Sequence, residues 1–197
     1  MARWGRFAAA YALMALIASA IALGTRGQLP LRFATPWLPL TPPRDVLYSL
    51  GLGTCFGLLL AIGTRYAVPR FGWARELHRE LRPLTHGLSG VGIVALAVSS
   101  SLGEELLFRG LLQPWLGLWL TTLLFGVLHQ GAGKSRFVWA GWATLVGLAL
   151  GSIFNLTGSL AGPLAAHALV NGLNLSYLKN YDPEPRRGLG GLLGSRG

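Results

Sequence analysis

Six apolar stretches, each close to the length of a membrane-spanning helix, make up most of this sequence. A transmembrane helix needs about 20 mostly apolar residues, because the hydrocarbon core of a bilayer is about 30 Å thick. The third stretch is expected to continue as a helix as far as Gln113, and the fourth is short. The stretches cover residues 7–24, 46–67, 88–103, 115–129, 138–156 and 160–178. We therefore predict an all-α fold, a polytopic membrane helix bundle with about six transmembrane helices.

The charge content supports lipid as the solvent of this chain. Charged residues make up 12% of the sequence against 52% hydrophobic residues, and a soluble domain carries roughly twice that charge fraction. The net charge of +10 does not indicate nucleic-acid binding, because the arginines cluster between apolar stretches, where they would face anionic lipid headgroups. The lone Cys55 lies in an apolar stretch and is expected to be buried and inert.

The distribution of Lys and Arg predicts the topology. With six spans, most basic residues fall on one side when both termini are placed in the cytoplasm. The first stretch resembles a signal peptide, but it has no clean cleavage site, and we predict an uncleaved helix. Residues 69–85 place apolar side chains at helical spacing and predict an interfacial amphipathic helix. We expect a single domain over residues 1–180 and a disordered basic tail over residues 181–197.

Two adjacent carboxylates are the main anomaly in the apolar sequence. Glu104 and Glu105 lie among apolar stretches, where each carboxylate costs on the order of 3 kcal/mol to insert. Successive side chains on a helix point about 100° apart, so each carboxylate needs its own partner. Arg109 follows Glu105 by four residues, which places the two on one helical face at ion-pair distance. This spacing leaves Glu104 to face another partner.

Histidines on two other stretches add to this polar set. His129 ends the fourth stretch, and His167 lies in the sixth with Asn171 one turn later. Polar side chains in lipid face the bundle interior, so the three helices are expected to bring these groups to one place in the bundle core. A glutamate with two histidines can activate a water as a general base, or can bind a divalent metal such as zinc. The candidate metal ligands are Glu104, His129 and His167; the alternative is a site that needs no cofactor.

These motifs resemble those of a known family of membrane proteases. The pattern E-E-x-x-x-R occurs at Glu104, Glu105 and Arg109, with F-x-x-x-H ending at His129 and H-x-x-x-N running from His167 to Asn171. Three such motifs in this order on successive helices resemble the CAAX prenyl endopeptidase and bacteriocin-processing family, also called CPBP or Abi. The match covers about residues 103–178, and the first two helices carry no signature.

The resemblance implies roles for the motif residues. Glu104 would activate the water with help from His129, while His167 and Asn171 would complete the site and stabilise the oxyanion. Glu105 and Arg109 would orient this set. Members of the family are described both as metalloproteases and as metal-independent glutamic proteases, and the scarcity of soft ligands here favours the second.

The resemblance also implies an intramembrane endopeptidase acting on a membrane-associated protein or peptide. The Arg-rich composition is typical of high-GC bacteria, so we expect a bacterial inner-membrane enzyme. Its substrates would be C-terminal sorting or anchor segments, or bacteriocin-type peptides, rather than a eukaryotic prenylated tail. The sequence leaves the substrate, the cleavage site, the side of entry and the oligomeric state open.

Three other readings fit part of the pattern. A non-catalytic immunity or scaffold protein would share the fold, but it would be expected to have lost a motif residue, and none is lost. A small transporter or proton channel could use Glu104 and the histidines as a relay, but such proteins often carry inverted repeats, and no repeat is visible. A structural polar staple would need opposite charges rather than two histidines and an asparagine on other helices.

Overall fold

The computed structural model describes residues 3–131 and 133–183 as a helical bundle. The predicted tail over residues 181–197 lies mostly outside the described residues. The helices, joined by loops, are α1 (Arg3–Arg26), α2 (Arg44–Arg70), α3 (Gly72–Leu81), α4 (Gly90–Glu105), α5 (Gln113–Leu128), α6 (Arg136–Thr157) and α7 (Ala161–Asn180). A π-helix, Leu106–Leu112, joins α4 to α5 without a break, and a 3₁₀ turn, Arg82–Thr85, follows α3.

The predicted fold class is confirmed: each of the six apolar stretches forms a helix in the predicted place. The third stretch does continue as helix as far as Gln113, and residues 72–85 form the predicted helical segment between the second and third stretches. Cys55, expected to be buried, is instead exposed on the outer surface of α2, because the buried face of that helix consists of other residues.

Among the residues that the structure describes, four helical stretches are long and apolar enough to cross a membrane, rather than the six predicted. They are Trp4–Arg26, Arg44–Arg70, Gly90–Leu128 and Arg136–Thr157. The difference has two causes. The third and fourth predicted stretches merge into one run of 39 residues, and α7 does not meet the same hydropathy criterion because it carries the polar residues that face the core.

The chain reverses direction within this 39-residue run, at Gly117. Its backbone has φ 76° and ψ 170°, a conformation that favours glycine. Before the turn the chain runs parallel to α6, since Arg109 bonds the Gly147 carbonyl and Gln113 bonds the Gly151 carbonyl. After the turn it runs antiparallel, so that Phe125 lies against Gly147. The returning leg, residues 118–128, is only about 17 Å long at 1.5 Å per residue, which is shorter than a bilayer crossing.

Small residues on α2 allow close packing against α7. The buried face of α2 repeats at four-residue spacing through Ser49, Gly53, Gly57 and Ala61. The Ser49 hydroxyl donates to the Ser159 carbonyl at 2.8 Å and accepts from the Gly162 amide at 2.9 Å, which fixes the start of α7. Small side chains of this kind let membrane helices approach closely without lipid between them.

Both ends of the described chain lie at one end of the bundle. The Trp4 side chain packs on Gly92 near the start of α4, and the Tyr181 carbonyl bonds His78 of α3. The opposite end holds the Pro-rich loop between α1 and α2, whose Phe33 and Trp37 amides bond carbonyls at the end of α6. The arrangement agrees with termini on the same side of the membrane; that this side is the cytoplasm stays a prediction.

Candidate active site

Glu105 and Arg109 form a buried ion pair at the junction of α4 and the π-helix. Arg109 Nη1 lies 2.9 Å from Glu105 Oε1, and the two side chains are 1% and 0% exposed. Arg109 also donates to the Gly147 carbonyl, and its guanidinium carbon lies 4.2 Å from the centroid of the Phe125 ring. The ion pair predicted from the four-residue spacing is therefore confirmed, and it ties the π-helix to α6 and α5. Short π-helical segments of this kind are frequent at functional sites.

The same carboxylate holds His167. Glu105 Oε1 lies 2.7 Å from His167 Nδ1, and because a carboxylate oxygen can only accept, the imidazole donates its Nδ1–H. This contact fixes the ring orientation and, in the neutral ring, leaves the Nε2 lone pair on the opposite side. Glu105 thus links Arg109 to a histidine that lies 62 positions away in the sequence.

Glu104 faces the second nitrogen of both histidines. Its Oε2 lies 3.4 Å from His129 Nε2 and 3.8 Å from His167 Nε2. His129 donates its Nδ1–H to the Phe125 carbonyl at 2.7 Å, so a neutral His129 also directs its Nε2 lone pair towards Glu104. Glu104 Oε2 is buried and makes no hydrogen bond with any residue that the structure describes. Three acceptor atoms therefore converge on one point from α4, α5 and α7.

The short returning leg of α5 explains why His129 lies at this depth. A full crossing would have carried the C-terminal end of α5 to the membrane surface, whereas 11 residues end it beside Glu104. The turn at Gly117 therefore determines that His129 lies beside Glu104.

Asn171 lies one turn beyond His167, and its side chain bonds Ser100 rather than Glu104. Its side-chain amide donates to Ser100 Oγ at 2.9 Å, and Ser100 lies one turn before Glu104 on α4. An amide nitrogen carries two hydrogens, so this bond orients the group and leaves a second N–H. Ser100 was not among the predicted residues, because only the packed structure shows that its side chain is buried and contacts Asn171.

A cavity of about 440 Å³ adjoins Glu104 and His129. Most of its wall is apolar, and it is bounded by α1, the 3₁₀ turn and the loop after α5. The lining residues beside Glu104 and His129 are Tyr11, Met14, Leu81, Leu84, Leu107, Phe108, Leu128, Gln130, Gly131 and Trp139. The cavity lies towards the end of the bundle that holds α3 and both ends of the described chain.

Tyr11 on α1 is a second residue that the sequence did not single out. It lines the cavity, and its phenol group interacts with the Glu104 carboxylate. The close approach depends on Gly103, since a Cβ there would lie 2.7 Å from the Tyr11 carbonyl oxygen. A tyrosine in an apolar N-terminal helix carries no sequence signal for this role, because only the packing of α1 on α4 brings it to the site.

Within residues 3–131 and 133–183, no group of three or more His, Cys, Asp or Glu side chains is arranged to hold a metal ion. Glu104 Oε2 lies 3.4 Å from His129 Nε2 and 3.8 Å from His167 Nε2. Metal binding by Glu104, His129 and His167 stays a prediction, as does the alternative of a site that needs no cofactor.

Comparison with known proteins confirms the resemblance seen in the motifs. Residues 87–173 match the family described as type II CAAX prenyl endopeptidase Rce1-like, and this segment contains the three motifs. The chain is also similar to the uncharacterized protein YpbD of Bacillus subtilis strain 168, with 34% identity over 79 residues. That alignment covers 40% of this chain and 41% of YpbD, so the chain matches less than half the length of this relative. No solved structure matches the chain.

Proposed function

From the Rce1-like character of residues 87–173, we propose that this protein is an intramembrane endopeptidase. The observation that supports it most is the convergence of Glu104 Oε2 with the Nε2 atoms of His129 and His167. Three acceptors around one point suit a water molecule, which can donate one hydrogen to the carboxylate and one to an imidazole. The oxygen lone pairs of such a water would then point into the adjoining cavity.

In this mechanism Glu104 acts as the general base. It takes a proton from the water as the oxygen bonds to the carbonyl carbon of the scissile peptide. The proton then passes to the amide nitrogen, the C–N bond breaks, and the products are a carboxylate and an amine. The second N–H of Asn171 is the donor available for the tetrahedral oxyanion, and such a donor is typically worth about 3 kcal/mol.

Glu105 and Arg109 act as positioning residues in this mechanism. Glu105 holds the Nδ1–H of His167, and Arg109 neutralises Glu105 and ties it to α6. Partners that orient a histidine in this way fix its tautomer as well as its direction. No step of the mechanism requires a metal ion.

The cavity favours a membrane-associated substrate. Its wall offers apolar and aromatic side chains with few polar groups, which suits a segment that partitions into lipid. We propose a protein or peptide substrate in a bacterial inner membrane, such as a C-terminal sorting or anchor segment or a bacteriocin-type peptide. The Lys and Arg bias together with the position of the cavity indicates entry from the cytoplasmic side.

A cell-based cleavage assay tests the proposal. Tagged membrane proteins encoded near the gene, and a reporter with a farnesylated C-terminal Cys-aliphatic-aliphatic-X motif, are expressed with wild type or with Glu104→Gln. The control is Glu76→Gln, which changes a carboxylate on α3 that pairs with Arg79 outside the cavity. We expect a size shift with wild type and with the control only.

Equal fragments with wild type and Glu104→Gln would contradict the proposal. So would a failure of every candidate to change while the protein is folded and inserted in the membrane. Either result would favour the alternative of a non-catalytic immunity or scaffold protein with the same fold.

A further inference from the structure

Glu80 of α3 bonds the chain just before α6. Its Oε1 accepts from the Lys134 amide at 2.9 Å, and its Oε2 accepts from the Ser135 amide at 3.1 Å. Ser135 is the N-cap residue of α6, and its own side chain makes no capping bond. A carboxylate at this place satisfies amides that the helix leaves unpaired and complements the positive end of the helix dipole.

The contact lies next to the wall of the cavity. Leu81, the neighbour of Glu80, lines the cavity from α3, while Gln130 and Gly131 line it from the chain that follows His129. Glu80 therefore joins α3 to the chain between α5 and α6, two segments that both line the cavity. His129 itself is held separately, through its Nδ1–H bond to Phe125 on α5 and its contact with Glu104.

Gly133 provides room for this contact. A Cβ at that position would meet the Glu80 carboxylate directly. Helix α3 contains two acidic residues, Glu76 and Glu80. Glu76 pairs with Arg79 of the same helix. The two glutamates on α3 thus have separate partners, which provides a matched comparison.

We propose that Glu80 is a positioning residue for substrate admission: its carboxylate fixes the chain before α6 against α3 and so sets the width of the cavity beside Glu104. The role in admission depends on the proposed protease function, whereas the contact itself does not. Because His129 has its own anchors, loosening the Glu80 contact should weaken substrate binding more than it slows the chemical step.

The contact can be broken from either side. Glu80→Gln removes the charge and one acceptor, and Gly133→Ala places a methyl group against the carboxylate. The matched controls are Glu76→Gln and Gly141→Ala, the second of which adds a Cβ where nothing lies within 4 Å. All four variants are made in the full-length, membrane-inserted protein.

Hydrogen exchange followed by mass spectrometry reads the contact directly, because the Lys134 and Ser135 amides are its donors. We expect exchange at these amides to rise about tenfold in Glu80→Gln and Gly133→Ala, which corresponds to about 1.4 kcal/mol. The two controls should match wild type. Kinetics are then measured in detergent with the tagged membrane protein that wild type cleaves in the cell-based assay. We expect KM to rise about tenfold and kcat to stay within about twofold.

Each other outcome overturns a specific part of the proposal. Unchanged exchange in both contact variants would show that Glu80 does not hold these amides. Faster exchange with unchanged KM and kcat would reduce Glu80 to a helix cap without influence on the site. If wild type cleaves none of the candidate membrane proteins, the protease function fails and the admission role fails with it, while the exchange data still decide the contact.

Discussion

Replacement by glutamine should affect the stability of the protein differently at the two adjacent glutamates, although it removes activity at both. Glu105→Gln leaves the Arg109 guanidinium, which is 1% exposed, without its counter-charge, and it replaces the carboxylate that accepts from His167 Nδ1–H by a weaker, neutral amide acceptor. Removing one partner of a buried ion pair costs about 3–5 kcal/mol. For a chain of this size, about 3 kcal/mol lowers Tm by roughly 6–12 °C. Glu105→Gln is therefore expected to lose both stability and activity.

Glu104→Gln should abolish activity without this loss of stability. Within residues 3–131 and 133–183, buried Glu104 Oε2 has no hydrogen-bond partner and no Arg or Lys forms an ion pair with Glu104. Its replacement by a neutral amide therefore relieves a buried charge, and we expect Tm to stay within a few degrees of wild type or to rise. The double variant Glu105→Leu with Arg109→Met removes both charges and should recover much of the lost stability while staying inactive.

Thermal unfolding in detergent and the cleavage assay together measure these effects. The sharpest comparison is the difference in Tm between Glu104→Gln and Glu105→Gln, since the two residues are neighbours of equal charge. Equal losses of Tm in both variants would refute the division into a reacting carboxylate and a positioning carboxylate. Full activity in Glu104→Gln would refute the mechanism itself.

Three further predictions concern other parts of the site and fold. Tyr11→Phe should lower kcat severalfold because it removes the phenol hydroxyl beside Glu104, while Tyr48→Phe on an exposed position should match wild type in the same assay. Treatment with a zinc chelator such as 1,10-phenanthroline should leave cleavage unchanged; loss of cleavage that added zinc restores would favour the metal-dependent alternative. Burial lowers the pKa of His78 from its ordinary 6.5, so its contribution to stability is present above pH 6.5 and lost as the pH falls below it. The Tm of wild type should therefore fall more between pH 6.5 and 5 than the Tm of His78→Gln. An equal fall in both proteins would contradict this.

The motif residues were predictable because charge in lipid is rare and costly. Glu104, Glu105 and Arg109 stand out in an apolar sequence, and the four-residue spacing already pairs Glu105 with Arg109. The same reasoning could not assign the partners of the histidines. That Glu105 holds His167, and that both Nε2 atoms face Glu104, depends on how α4, α5 and α7 pack.

Tyr11, Ser100 and Glu80 were not predictable, each for the same physical reason. A tyrosine, a serine and a surface glutamate are ordinary in a helix of this kind, and nothing local distinguishes them. They matter here through contacts with residues far away in the sequence: Glu104 for Tyr11, Asn171 for Ser100 and Lys134 for Glu80.

The sequence alone determined that this chain is a helical membrane bundle and that Glu104, Glu105 and Arg109 stand out within it, because local hydropathy and residue spacing set both properties. The number of full crossings was not determined locally. The glycine turn at Gly117 folds one apolar stretch back at about half the length of a crossing, and this brings His129 to the depth of Glu104. Tertiary structure decided that depth and the cavity beside it, because each depends on packing between helices that are distant in the sequence.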